Sequence, residues 1–123
     1  MEFKIPAIPP SVNQHLKINY RRRCVYLDPA VKKFKVIASM HIPPITFKPD
    51  VKLKVEVEYH GQFINKSNKK TKRRDGQNLD KCLYDAMFEK FGINDCHAWE
   101  GSWKKVHNNE QSFTLVNISE LED

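Results

Sequence analysis

From Val51 to Tyr59, apolar residues fall on every second position: Val51, Leu53, Val55, Val57 and Tyr59 are separated by Lys52, Lys54, Glu56 and Glu58. Successive side chains of an extended strand point to opposite faces, so this alternation predicts a strand with one buried and one wet face. A different period appears between Ala30 and about Met40, where Val31, Phe34, Ile37 and Ala38 recur at helical spacing and Lys32, Lys33 and Lys35 fall largely elsewhere. Asp28-Pro29 supplies that helix with an N-cap and a proline at its first position, and Pro43-Pro44 lies beyond its end. Leu79, Leu83, Ala86 and Met87 mark a second helix from about Gly76 to Lys90, with Asp75 near its N-cap and Gly92 placed to stop it. Shorter apolar runs predict strands at Glu2–Pro6 and Cys24–Leu27. Two more are expected over Cys96–Val106 and Gln111–Ile118, joined by a turn around Asn108-Asn109. Ser11-Val12-Asn13 opens a loop that continues as polar chain to Tyr20, and residues 61–74, without apolar periodicity, read as a basic flexible loop.

The expected order is therefore β, β, α, β, loop, α, β, β, with hairpins at both ends. Strands outnumber helices, which predicts an α+β fold: a mixed β-sheet of four to five strands with two α-helices packed on it. A chain of 123 residues has room for one compact core, so a single domain over residues 1–123 is expected. No apolar run approaches the roughly 18 residues of a membrane helix, and the N-terminus lacks the apolar core of a signal peptide. A soluble, cytoplasmic protein without membrane contact is the expectation. Cys24, Cys82 and Cys96 show no CxxC spacing, so neither a disulfide framework nor a zinc site is indicated. His15, His41, His60, His97 and His107 are scattered without paired spacing.

Charge adds a partner class. The formal net charge is +6, and the excess is clustered in Lys66, Lys69, Lys70, Lys72, Arg73 and Arg74, with Arg21, Arg22 and Arg23 as a second group and an acidic C-terminus at Glu120-Leu121-Glu122-Asp123. Clustered cations gain affinity for a phosphate backbone by releasing its counterions, which favours a polyanionic partner. A solvated charge run that keeps a loop soluble is the alternative.

The chemistry-bearing residues surround the second helix. Asn78, Lys81 and Asp85 follow an i, i+3, i+7 series on a side other than the apolar one. Asp75 at the helix start and Asp95 after it are candidate oxygen ligands for magnesium, which needs only one or two carboxylates beside a substrate phosphate. Such an ion would activate water and stabilise charge on a scissile phosphate, with Lys81 as an electrostatic aid. Lys69, Lys70, Lys72, Arg73 and Arg74 lead directly into Asp75 and would deliver a nucleic-acid backbone to it. The local alternative makes Asp75 a plain N-cap, Lys81 and Asp85 a surface pair, and Asn94-Asp95 a turn. Trp99 and Trp103, four residues apart, are positioned to share a strand face, for core or dimer packing before base stacking.

RRDGQNLDKCLYDAM followed by GINDCHAWE, together with the opening IPAIPPSVNQH, resembles the RusA family of Holliday-junction resolvases. That family's signature is an arginine-rich run, D-x-D-N-x-x-K-x-x-x-D-x-L, a short spacer and D-D with a trailing acid, after a P-P-S-x-N opening. The resemblance is collinear over most of the chain. Asp75 falls on the first aspartate, Asn78 on the asparagine, Lys81 on the lysine, Asp85 on the downstream aspartate, Asp95 on the second member of the D-D pair and Glu100 on the trailing acid. It implies a homodimer, magnesium dependence (manganese as a substitute), no organic cofactor, and paired nicking of four-way junctions or other branched DNA in recombination and repair. Phage or prophage genes often encode members. Gln77 and Asn94 depart from the pattern, each an amide where an aspartate is expected; an amide offers a metal a carbonyl oxygen but no charge. Asp85 or Glu100 would have to compensate; Asp80 lies on another helix face from Asn78 and Asp85 and is the poorer substitute. The expected function is thus a magnesium-dependent structure-selective DNA endonuclease. Its alternatives are a family member that binds structured DNA without cleaving it, and a basic RNA-binding module whose carboxylates are only caps and turns.

Overall fold

The computed structural model describes residues 1–11, 16–72 and 76–122. Its chain order is β1 (Glu2–Ile5), β2 (Leu16–Asn19), β3 (Cys24–Leu27), α1 (Pro29–His41), β4 (Leu53–Gly61), α2 (Gly76–Phe91), a one-turn 3-10 helix (Asp95–His97), β5 (Ala98–His107) and β6 (Phe113–Glu120). A four-stranded sheet runs β1-β6-β4-β5, and β2 and β3 form a separate two-stranded sheet. The fold is α+β and the main sheet is mixed, because β4 pairs antiparallel with β6 but parallel with β5. Parallel neighbours need a crossover, and α2 supplies it.

The alternation along β4 does what its pattern demands. Leu53, Val55, Val57 and Tyr59 are buried with Phe3, Ile5, Val116 and Ile118 under the two helices, whose buried sides carry Val31, Phe34, Ala38, Leu79, Leu83 and Met87. The other sheet face is open. Asp28 Oδ1 accepts the Ala30 N–H at 2.9 Å and Pro29 occupies the first helical position, so α1 starts where the sequence signals it. Gly92, at φ +72°, ends α2: its N–H donates to Glu89 O (3.3 Å) and the Ile93 N–H to Phe88 O (3.3 Å). Those two bonds are a Schellman closure, which needs the left-handed backbone that glycine adopts without steric cost. Among the described residues, no helix is long and apolar enough to cross a membrane.

Three expectations are corrected. The last two strands do not form a hairpin; β4 lies between β5 and β6, and the connection crosses over the end of β4, where the Asn108 N–H donates to Gly61 O at 2.8 Å. The turn itself is real, with Asn108 Oδ1 accepting the Glu110 and Gln111 N–H groups. Periodicity marks strands but does not say which strands pair. Part of the polar chain before Tyr20 is a strand, β2, whose partner β3 orders it outside the main core. Cys96 belongs to the 3-10 turn, so the fifth strand begins at Ala98.

Residues 61–74, expected as a mobile loop, carry local structure in their described part. Ile64 bridges Thr71, the Asn65 N–H donates to Lys70 O (2.8 Å), the Lys72 N–H to Phe63 O (2.8 Å), and Lys69 closes the turn at φ 59°. The Phe63 N–H donates to His107 Nδ1 at 3.2 Å, which ties the base of this turn to the end of β5.

Candidate active site along helix α2

One stripe of α2 faces the β4–β5 edge, and it begins with a backbone contact. Gly76 lies against the indole of Trp103, so closely that a Cβ at that position would sit 2.4 Å from the ring. One turn further, the buried Tyr59 of β4 donates its hydroxyl to Asp80 Oδ1 in a short hydrogen bond. After another turn the Tyr84 hydroxyl rests on Gly101, where an added Cβ would approach it to 2.7 Å. Gly76, Asp80 and Tyr84 stand at i, i+4 and i+8, the spacing that places side chains above one another on a helix. The register of β5 matches: Gly101 and Trp103 oppose the core residues Val55 and Val57, so both face α2.

The electrostatics of the stripe follow from burial. Desolvation raises the Asp80 carboxyl above its ordinary value, and the hydrogen bond from Tyr59 only partly offsets that. Burial first, then the charge of Asp80, raises the Tyr59 phenol. Tyr84 is pushed up to about 12, by burial first and then by the negative charges of Asp80 and Asp95. At neutral pH Tyr84 is therefore a neutral hydrogen-bond donor near two carboxylates.

Asp95 itself lies at the other end of β5. It opens the 3-10 turn, is exposed, and immediately precedes the strand. Ala98 and Trp103 are five positions apart, on the order of 16 Å along an extended chain. Asp80 and Tyr84 occupy the intervening length of helix. Asn94 Oδ1 accepts the Cys96 N–H at 2.9 Å, so this amide serves as the N-cap of the turn. Gln77 and Lys81 are exposed, and Asn78 is half-buried. Asp85 raises the Cys82 thiol, second to burial, which pushes it up to about 12; Lys35 and Asp28 of the α1 region act on the same thiol, so Asp85 belongs to the flank of α2 that meets α1. Glu100 pairs in register with Lys54 and faces the open side of the sheet, away from Tyr84.

Asp75, Arg73 and Arg74 lie outside the described residues. Lys69 and Lys70 are exposed and Lys72 is half-buried, in the turn just before them. The two tryptophans do not share a surface: Trp103 covers Gly76, whereas Lys52 Nζ lies 4.6 Å over the Trp99 ring. A register shift between Leu53 and Lys54 breaks the alternation there.

The oxygen donors in this region are carboxylates and amides, which suit a hard cation such as magnesium. Among the described residues, however, no group of three or more His, Cys, Asp or Glu is arranged to hold a metal ion. Sequence reasoning set Asp80 aside as the poorer substitute and missed Tyr84, Tyr59 and the Gly76–Trp103 contact. The available signal was a glycine in the first turn of a helix with polar residues at four-residue steps beyond it.

The family model described as endodeoxyribonuclease RusA matches residues 6–119. Comparison with individually curated proteins gave no match.

Proposed function

The chain belongs to the RusA endodeoxyribonuclease family, whose members resolve Holliday junctions and depend on divalent metal, and from that we propose that it is a magnesium-dependent nuclease that nicks four-way or otherwise branched DNA as a homodimer. The family match over residues 6–119 carries this reading. In it, Asp75 and Asp95 hold the ion, Gln77 and Asn94 add neutral oxygen donors, and Lys81 counters charge at the scissile phosphate. The ion supplies an activated water and charge stabilisation. Asn78 has a supporting role, Asp85 on the flank toward α1 and Glu100 on the open sheet face act only indirectly, and the cations from Lys69 to Arg74 bind the backbone ahead of the helix, whose N-terminal partial charge also favours phosphate.

A second reading is a DNA binder of the same lineage that no longer cleaves. Two observations favour it: the Asn94 oxygen is engaged in capping, and Asp95 precedes β5, whose first residue lies on the order of 16 Å along the strand from the Trp103 that contacts Gly76. Incubating the purified protein with a synthetic four-way junction, with magnesium, manganese or EDTA, separates the two. The enzyme reading expects paired, metal-dependent nicks that Asp95→Asn abolishes, with junction affinity equal or higher because a negative charge near phosphate is gone. Junction binding with no nicks under either metal would establish the binder. Preference for structured RNA over junction DNA would overturn both.

A further inference from the structure

The second arginine cluster has no part in the site along α2, and the fold gives it a distinct setting. Among the described residues β2 and β3 pair only with each other, from Leu16↔Leu27 to Asn19↔Cys24, and the ribbon turns through Tyr20, Arg21, Arg22 and Arg23. The turn is defined. The Arg22 N–H donates to Asn19 Oδ1 at 3.0 Å, and Arg23 takes a left-handed φ of 51°, uncommon for a bulky side chain. All four tip residues are exposed, Tyr20 by 84%. Ile18, Val25 and Tyr26 are exposed too, and among the described side chains of this ribbon Leu27 packs against the main core.

Two physical features need a partner to account for them. An isolated two-stranded ribbon is marginal in water, and this one exposes Ile18, Val25 and Tyr26 to solvent. Its charge is also unbalanced, since no Asp or Glu occurs between Glu2 and Asp28. A solvated surface ordinarily mixes signs; a guanidinium cluster without acids suits phosphates, to which each fork offers paired N–H donors. An exposed aromatic among those cations adds a flat face for an unpaired base.

We propose that the β2–β3 hairpin is a second DNA-binding element, in which Arg21, Arg22 and Arg23 grip the phosphate backbone at a branch and Tyr20 stacks on a base unpaired there. The assignment rests on the branched-DNA reading above and deepens it.

Binding is measured in EDTA, to prevent cleavage, with a labelled four-way junction and a linear duplex of matching sequence across a salt series. The R21A/R22A/R23A variant is expected to lose at least about tenfold in affinity for both, and its log–log salt slope to shrink by about 2 to 3, close to one per lost phosphate contact. The matching triple lysine variant restores the slope. Tyr20→Ala is expected to lose about 5- to 50-fold on the junction and less than about twofold on the duplex, the scale of one lost base stack. The tip is solvent-exposed, so circular dichroism should report unchanged folding in each. Unchanged affinity and slope in the arginine variant, while K69A/K70A/K72A weakens binding, overturns the hairpin alone. A change in oligomeric mass without loss of DNA affinity also overturns it, making the tip a protein contact. Failure of the wild-type chain to bind either DNA overturns the branched-DNA reading itself.

Discussion

The two flanks of α2 are built on different physics. Toward β5, helix and strand meet through backbone: Gly76 under Trp103 and Gly101 under Tyr84 leave no room for one added carbon, and Asp80 is closed off by Tyr59. Toward α1, contact is made by long side chains, with Lys35 Nζ reaching Glu89 Oε2 at 3.1 Å across a surface where the Glu89 side chain is 70% exposed. Packing at van der Waals contact tolerates little change in volume, whereas a hydrated ion pair relaxes into solvent. The flank toward β5 should therefore hold geometry, and the flank toward α1 should be permissive.

The sharpest way to break this contrast is Gly76→Ala. The new Cβ must displace an indole that is 41% exposed and free on one side, so the cost is that of moderate overpacking, about 1 to 3 kcal/mol. Better helix propensity offsets up to about 1 kcal/mol of it. Urea unfolding should show a net loss, and the tryptophan emission should move as Trp103 swings outward. In a W103A background the same glycine change should cost nothing or stabilise. Additivity of the two substitutions within about 0.5 kcal/mol would show that the ring does not constrain the helix start.

Asp80 sharpens the same flank through pH. Its folded carboxyl is raised above the ordinary 3.8, so the folded state holds its proton more tightly than the unfolded chain does. The sign follows: that contribution favours folding below about pH 4 and is lost as pH rises through the folded value. Asp80→Asn removes the titration, so wild type should lose stability relative to the variant as pH increases from 4 toward neutrality. Parallel stability curves for the two proteins would show that the Tyr59 hydrogen bond cancels desolvation, and a relative gain of wild type with rising pH would show that it outweighs it.

How far these flanks were legible in the sequence depends on what each feature needs. The alternation from Val51 to Tyr59, the Asp28-Pro29 start and the Gly92 stop are local rules, and the structure follows them. The apolar face of α2 was legible for the same reason. Helical spacing also grouped Asn78, Lys81 and Asp85 as a set off the apolar face, but periodicity cannot say which neighbour each side of a helix will meet. That is decided by strand order, and β4's insertion between β5 and β6 is a long-range pairing with no local signature. Asp80 was set aside because it departs from that polar series; its position at four residues from both Gly76 and Tyr84 is what turns it toward Tyr59. The register shift beside Leu53 likewise separates Trp99 from Trp103 despite their even spacing.

The smallest effect is expected on the permissive flank. Glu89→Ala deletes the Lys35 contact, but surface ion pairs of this kind contribute about 0 to 1 kcal/mol, because water and salt screen them and ordering two long side chains costs entropy. Glu89 lies in the last turn of α2, where a negative charge opposes the helix dipole, so its removal recovers part of the loss. Urea midpoints for E89A and wild type should agree within about 0.5 kcal/mol and converge further in 0.5 M salt, where the Debye length falls to about 4 Å. Nicking of a four-way junction, if the enzyme reading holds, should be unchanged. A loss for E89A as large as that for Gly76→Ala would mean that the α1 contact fixes the helix as firmly as the β5 contact does, and the division between the two flanks would fall.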